Sequence, residues 1–156
     1  MGSLLWSIIF TVCFSPGNSC NGPIVDAIDL AEKTVDIAIY SFTDTYIAEA
    51  VLEADRRGVK VRILMDKLQA AGKYALDEFL IEADLFVCVD KRSGAMHHKF
   101  VVIDEMLVIT GSYNWTANAN KKNNENLLMI LDKRLAKEYT LEFERLLERH
   151  ECLRDM

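Results

Sequence analysis

The segment from residue 97 to residue 126, HHKFVVIDEMLVITGSYNWTANANKKNNEN, constrains this chain more than any other. Phe100, Val101, Val102 and Ile103 form one apolar run, and Leu107 to Thr110 form a second. Between them lies a turn built from Asp104-Glu105-Met106-Leu107. Two β-prone runs so close together predict a hairpin. A two- or four-residue connection sets His97 opposite Asn114 and Lys99 opposite Ser112. Strand side chains alternate faces, so His97 and Lys99 share one, about 6 to 7 Å apart. In that register an imidazole, an ammonium, an amide and a hydroxyl converge. A connection of odd length would slide the pairing by one residue and break the convergence. Asp104 stands at odd spacing from Lys99 and reads as a structural carboxylate.

The chemistry of such a cluster is narrow. Lysine with neutral donors suits an anion that presents several oxygens, such as a phosphate. Histidine is the usual acid, base or nucleophile near neutral pH. Glu125 is placed to hold the far nitrogen of His97 and fix its tautomer, as the third member of a triad does. Metal ligation needs several carboxylates, histidines or cysteines around one point, and this cluster offers few. The reading is phosphoryl transfer without a metal or any other cofactor.

His97-x-Lys99-x4-Asp104, followed by Gly111-Ser112-x-Asn114, resembles the HKD signature of the phospholipase D superfamily. The longer run MHHKFVVID, VITGSYNWT and NNEN is similar to its small single-motif members, the bacterial endonucleases and the mitochondrial phospholipase-D-like nucleases. The resemblance extends more loosely to Val12–Pro16 and to Tyr40-Ser41-Phe42. It implies that His97 is the nucleophile, forming a phosphohistidine, and that Lys99 and Asn114 hold the phosphate. It implies that Ser112 lines the site, that Glu125 orients His97, and that Asp104 and Gly111 are structural members of the motif. The family needs two motifs per active site and this chain has one. The resemblance therefore implies a homodimer, in which His97 of the partner subunit protonates the leaving oxygen. The mitochondrial type carries a Cys/His zinc-finger insertion that has no counterpart here, which favours the bacterial type.

Length suits a single domain with a full core. The net charge of −6 is unfavourable for a protein that grips a polyanion. The positive charge is concentrated, however. Residues 91 to 122 hold Lys91, Arg92, Lys99, Lys121 and Lys122 against Asp104 and Glu105 alone. That cluster flanks the candidate site, as an electrostatic footprint should. Of the four cysteines, Cys88 sits in an apolar run and reads as core. Cys13 and Cys20 have no C-x2-C partner or nearby histidine, so a zinc site is not indicated, and their pairing is left open.

In chain order, residues 6 to 14 read as a strand ended by Ser15-Pro16-Gly17-Asn18. The apolar start is too short to span a membrane and lacks the basic flank of a signal peptide. An intracellular soluble protein is expected, with an upstream signal or anchor left open. Helices are predicted from Pro23 to about Lys33, with Asn21 as cap, and from Tyr46 to Arg57, capped by Asp44 and stopped by Gly58. A third is predicted from Lys73 to Ala83. Strands are predicted over Val35–Tyr40, Val59–Met65 and Leu85–Val89, with a loop over Asp66–Ala71. After the hairpin come a loop or short helix to Asn124, a strand from Glu125 to Ile130 and a long helix to His150. The alternation predicts an α/β fold, a mixed and mostly parallel sheet flanked by helices on both faces.

His98 points away from His97 and reads as a structural hydrogen-bonder. Tyr113 and Trp115 read as packing rather than as stacking platforms. His150 reads as solvated. The leading function is a nuclease acting on DNA or RNA, with single strands mildly preferred. A lipase acting on a phospholipid diester such as cardiolipin comes second, and a nucleic-acid-binding dimer without turnover third.

Overall fold

The computed structural model describes residues 9–90 and 92–149. In chain order the elements are β1 (Ile9–Ser15), α1 (Asn21–Asp29), β2 (Thr34–Ile39), α2 (Thr45–Arg56), β3 (Lys60–Met65), α3 (Lys67–Ala70), α4 (Asp77–Glu82) and β4 (Phe86–Val89). They continue with β5 (Lys99–Ile103), β6 (Leu107–Gly111), α5 (Ala117–Lys121), β7 (Glu125–Leu131) and α6 (Lys133–Arg149). The seven strands form one sheet in the order β1-β7-β6-β5-β2-β3-β4. One core packs α1, α2, α4 and α5 against one face through Ile24, Ile47, Ile63 and Val101. On the other face α6 brings Phe143, Leu146 and Leu147 onto Leu64, Phe100 and Val102. The mixed α/β architecture with helices on both faces is the one expected.

The balance of strand directions differs from expectation. Among the strands of the sheet, β2–β3 and β3–β4 pair in parallel. The β1–β7, β2–β5, β5–β6 and β6–β7 pairs are antiparallel. Helical crossovers enforce parallel pairing only in the first half of the chain. In the second half only β5 and β6 are joined by a tight hairpin; β6 and β7 are joined through α5, and β2–β5 and β1–β7 bring distant parts of the chain together.

Local chemistry sets the helix starts. Asp44 Oδ1 accepts from the backbone N–H groups of Tyr46 and Ile47 at 3.0 and 3.4 Å and begins α2. Asp66 does the same for Leu68 and Gln69, turning a predicted loop into the single turn of α3. Asp132 Oδ1 takes the N–H groups of Arg134 and Leu135 and opens α6. Arg62 then pins that helix. Its guanidinium grips both oxygens of Asp36 at 2.7 and 2.9 Å and reaches Glu144 at 2.7 Å. Charge pairs this well enclosed lock geometry more than they add stability.

Two further features go beyond the sequence reading. Cys13 and Cys20 are joined by a disulfide that ties β1 to the start of α1. Cys88 is buried, as expected, and is disulfide-bonded as well. Disulfides of this kind persist in oxidising compartments. The second feature is apolar exposure. Helix α6 stops short of β1 and β7, so Phe10, Val12 and Phe14 stand about half exposed or more, beside Leu128 and Ile130. His150 and the first residues of the predicted N-terminal strand lie outside the described residues.

Candidate active site

The hairpin exists, but its connection has three residues. Phe100 pairs with Thr110 and Ile103 with Leu107, one place off the register that would set Lys99 opposite Ser112. The cause is local. Asp104 and Glu105 both adopt left-handed backbone, at φ of 52° and 54°, and Met106 N–H closes onto Ile103 C=O. Aspartate tolerates that conformation, but nothing in the sequence, such as an Asn-Gly pair, announces it.

Asp104 is the structural carboxylate expected. It accepts the backbone N–H groups of Glu32, Lys33 and Thr34 at 2.9, 2.7 and 2.9 Å. Burial raises its pKa, but those three donors prevail and hold the carboxyl below its ordinary value. The turn is thus fastened to the end of α1 and the start of β2.

At the other end of the hairpin the polar groups fall into two linked clusters. His97 and Lys99 form the first, with Lys99 Nζ 3.1 Å from His97 Nδ1 and 2.7 Å from the His97 carbonyl. Tyr40 completes it: its ring lies 4.4 Å from the His97 ring and 4.8 Å from the Lys99 ammonium. Ser112 and Glu125 form the second. Ser112 Oγ donates to Glu125 Oε2 at 2.5 Å, and Asn123 Nδ2 donates to Oε1 at 3.0 Å. Asn126 N–H in turn donates to Ser112 Oγ at 3.1 Å. The clusters are joined by charge. Burial pushes the Lys99 ammonium below the usual lysine range, and attraction to Glu125 opposes that push.

Gly111 lets the second cluster form despite the shifted register. Its φ is +150°, and a Cβ there would stand 2.2 Å from the Asn126 carbonyl oxygen. Only glycine allows β6 to come that close to β7. Ser112 N–H then bonds that same carbonyl at 3.1 Å. Beyond it, Tyr113 and Trp115 are buried, so packing is their role as expected. Trp115 N–H donates to Ser41 C=O and its carbonyl accepts from Thr43 and Asp44, fixing the segment to the β2–α2 loop. Between them lies Asn114, half-buried, whose Oδ1 is enclosed and has no partner. Tyr113 Oη and Thr140 Oγ1 are likewise enclosed without a partner, and an amide oxygen accepts rather than donates, so this orphaned oxygen is not by itself the mark of a phosphate site.

Glu125 does not bond His97 within one subunit. Both of its oxygens are taken by Ser112 and Asn123, and Nδ1 of His97 faces Lys99 instead. His98 behaves as read: it turns away, with Nε2 3.4 Å from Glu142 and its ring edge on Phe100. The sequence reading gave no role to Tyr40, Asn123 or Asn126. Tyr40 follows Ile39, the cross-strand partner of Lys99, so only the β2–β5 pairing reveals it.

Beside His97 a cleft of about 350 Å³ opens toward α6, with Lys99, Gly111, Tyr139 and Glu142 on its walls. Among the described residues no three His, Cys, Asp or Glu side chains gather as a metal site. No described helix is long and apolar enough to cross a membrane.

Residues 24–147 match the family described as "Cardiolipin synthase, PLD-like domain". A phospholipase D of Rickettsia felis is 40% identical over 139 residues, covering 89% of this chain and 69% of the relative. A mitochondrial cardiolipin hydrolase of Xenopus tropicalis is 38% identical over 121 residues, covering 78% and 58%. The chain thus spans somewhat over half to about two thirds of the length of these relatives. Among solved structures, Nuc from Salmonella typhimurium, a phospholipase D family member, superposes with a TM-score of 0.86 at 28% identity, over 91% of this chain and 95% of Nuc. NucT from Helicobacter pylori gives 0.84 at 28%, over 91% and 97%.

Proposed function

The chain belongs to the phospholipase D superfamily of phosphodiester hydrolases, and we propose that it is a metal-independent endonuclease that cleaves nucleic acid through a phosphohistidine in a homodimer. The observation that carries this reading is the pairing of Lys99 with an exposed His97, 3.1 Å apart, at the mouth of a hairpin whose far end is fully bonded.

His97 of one subunit attacks phosphorus, a P–N bond forms, and the P–O bond to the leaving oxygen breaks. That oxygen takes its proton from His97 of the partner subunit. Water then attacks the phosphohistidine, gives its proton back to that second imidazole, and a phosphate monoester leaves. The two histidines need opposite protonation. The attacking ring must be neutral with its Nε2 lone pair free, and the partner subunit's His97 must be the imidazolium that gives its Nε2 proton to the leaving oxygen. Lys99 and Asn114 hold the phosphate oxygens, and Ser112 lines the site. Glu125 sits near enough to Lys99 to hold its charge, while Asp104 and Gly111 set the frame. Each donor aimed at the developing charge contributes roughly 3 kcal/mol.

The subunit contact has a natural place. Phe10, Val12 and Phe14 stand exposed on β1 beside β7, an apolar face that a second copy of the chain would cover. It runs into the His97 cleft through Glu138, which borders both. A second copy seated there would complete the site.

A second reading, a phospholipase acting on a cardiolipin-type diester, is favoured by the relatives named phospholipase D and cardiolipin hydrolase. One experiment separates them. Labelled single- and double-stranded DNA, RNA and cardiolipin vesicles are incubated with the protein in EDTA. Strand cleavage that survives chelation is expected. Headgroup release without strand cleavage would favour the second reading, and complete loss on chelation would overturn the metal-free mechanism.

A further inference from the structure

A second recess of about 420 Å³ opens on the other side of His97, between the loop that precedes β5 and the last turns of α6. Arg92, Gly94, His97, His98, Arg145 and Arg149 stand around it. Three arginines gather there in a chain whose net charge is −6. Asp90 is buried, and its Oδ1 is engaged by the backbone N–H of Arg92 at 2.8 Å. Two carboxylates, Asp90 and the Glu142 bonded to Arg145, stand against the three arginines and leave a net positive recess.

The arginines are placed rather than scattered. Arg145 and Arg149 lie one helical turn apart on the same face of α6, about 6 Å from each other. Glu142 holds Arg145 at 2.7 and 2.6 Å. Those two bonds use two of its five N–H donors and leave the rest of the fork for an anion. Arg92 and Arg149 form no ion pair with any carboxylate among the described residues. The loop that carries Arg92 is itself fixed, since its carbonyl accepts from Lys67 Nζ and Met96 N–H is held by buried Asp66 at 2.9 Å.

We infer that this recess is a second phosphate subsite, which holds the nucleic-acid strand next to the phosphate being cleaved. The inference deepens the proposed function and rests on it. A strand offers one phosphate after another, and arginine is the side chain that grips phosphate with two bonds at once. A bilayer would instead need apolar residues beside the basic ones. The bare apolar residues, Phe10 and Ile130, lie with Leu135 and Arg134 at the start of α6, whereas this recess is at its end. The 17 residues of α6 set those ends about 25 Å apart.

The test uses the full chain carrying Arg92→Ala and Arg149→Ala together, with Arg92→Lys and Arg149→Lys as the charge-preserving control. Arg145 is left in place because it is bonded to Glu142. Two substrates are compared, a single-stranded oligonucleotide and bis(p-nitrophenyl) phosphate, which carries a single phosphate. The double alanine variant should raise KM for the oligonucleotide roughly tenfold, with kcat little changed. The slope of log affinity against log salt should flatten by about 1.4, two contacts at about 0.7 each. Hydrolysis of the small diester should stay within about twofold, and the lysine variant should recover much of the loss. If wild type cleaves the oligonucleotide and the alanine variant does so equally well, the subsite is refuted and the proposed function stands. If both substrates suffer alike, the arginines serve the fold and the subsite is also refuted. If only cardiolipin vesicles are hydrolysed, and the variant loses that activity, the anion in the recess is a lipid phosphate and the strand is not. If wild type hydrolyses the small diester but no nucleic acid at all, the proposed function and this subsite fail together.

Discussion

The two ends of the β5–β6 hairpin are both polar and could hardly differ more. At the turn, Asp104 has three backbone donors and asks nothing of a ligand. At the mouth, His97 is exposed, Lys99 is pulled between burial and Glu125, and Asn114 keeps an enclosed oxygen without a partner. The difference teaches a way to sort motif residues. Asp104 spends its bonds on the fold, whereas His97 stands exposed beside Lys99 and is open to a ligand.

Substitutions at the mouth should change turnover and spare the fold, while substitutions at the turn should do the reverse. The largest effect is expected from His97→Asn. Turnover should fall by 10⁴-fold or more, with the thermal midpoint close to wild type, because the exposed ring contributes little to the core. Substantial cleavage by that variant would erase the distinction between the two ends.

Lys99→Ala should come next, lowering kcat/KM by about 10²- to 10³-fold. Its pH dependence sharpens the point. Burial places the Lys99 pKa below the ordinary lysine value of about 10.4. Activity should therefore decline on the alkaline side before an ordinary lysine would discharge. Lys99→Arg, always charged, should be slower but lose that decline. A pH profile of kcat/KM for the three proteins checks it.

Asp104→Asn keeps the left-handed backbone and removes the charge. We expect a stability loss of about 2 kcal/mol by denaturant titration, since hydrogen bonds to a charged group are the strong ones. Activity per folded molecule should be unchanged. The sign with pH follows from a depressed folded pKa. The stabilisation is present above the unfolded carboxylate value of about 3.9 and is lost as pH falls through the folded value. The deficit of the variant should accordingly shrink in acid. A deficit that grew there would contradict the bonding at the turn.

The smallest effect has the opposite sign. Glu105→Gly relieves a left-handed residue and should add about 0.5 to 1 kcal/mol. A clear loss of stability would show that the Glu105 side chain itself supports the turn.

Much of this was legible in the sequence because its signals are local. Alternation and β-branching marked the hairpin strands, Asp44 and Gly58 bracketed α2, and Asp104 was identified as structural from its spacing alone. What escaped is set by contacts between distant parts of the chain. The parallel or antiparallel sense of a strand depends on the neighbour it finds. The turn length depended on two left-handed residues with no glycine among them. The Cys13–Cys20 bond required knowing that β1 and the start of α1 meet. Tyr40 joined the site only through pairing of β2 with β5, and Glu125 meets Ser112 where β6 pairs with β7.

The central claim is that two copies of His97 act on one phosphorus. Wild-type chains and His97→Asn chains can be co-assembled in known proportions and assayed for cleavage per total protein. If both imidazoles are needed at a shared site, activity should follow the square of the wild-type fraction. A straight-line dependence would mean that each subunit works alone, and would contradict the account.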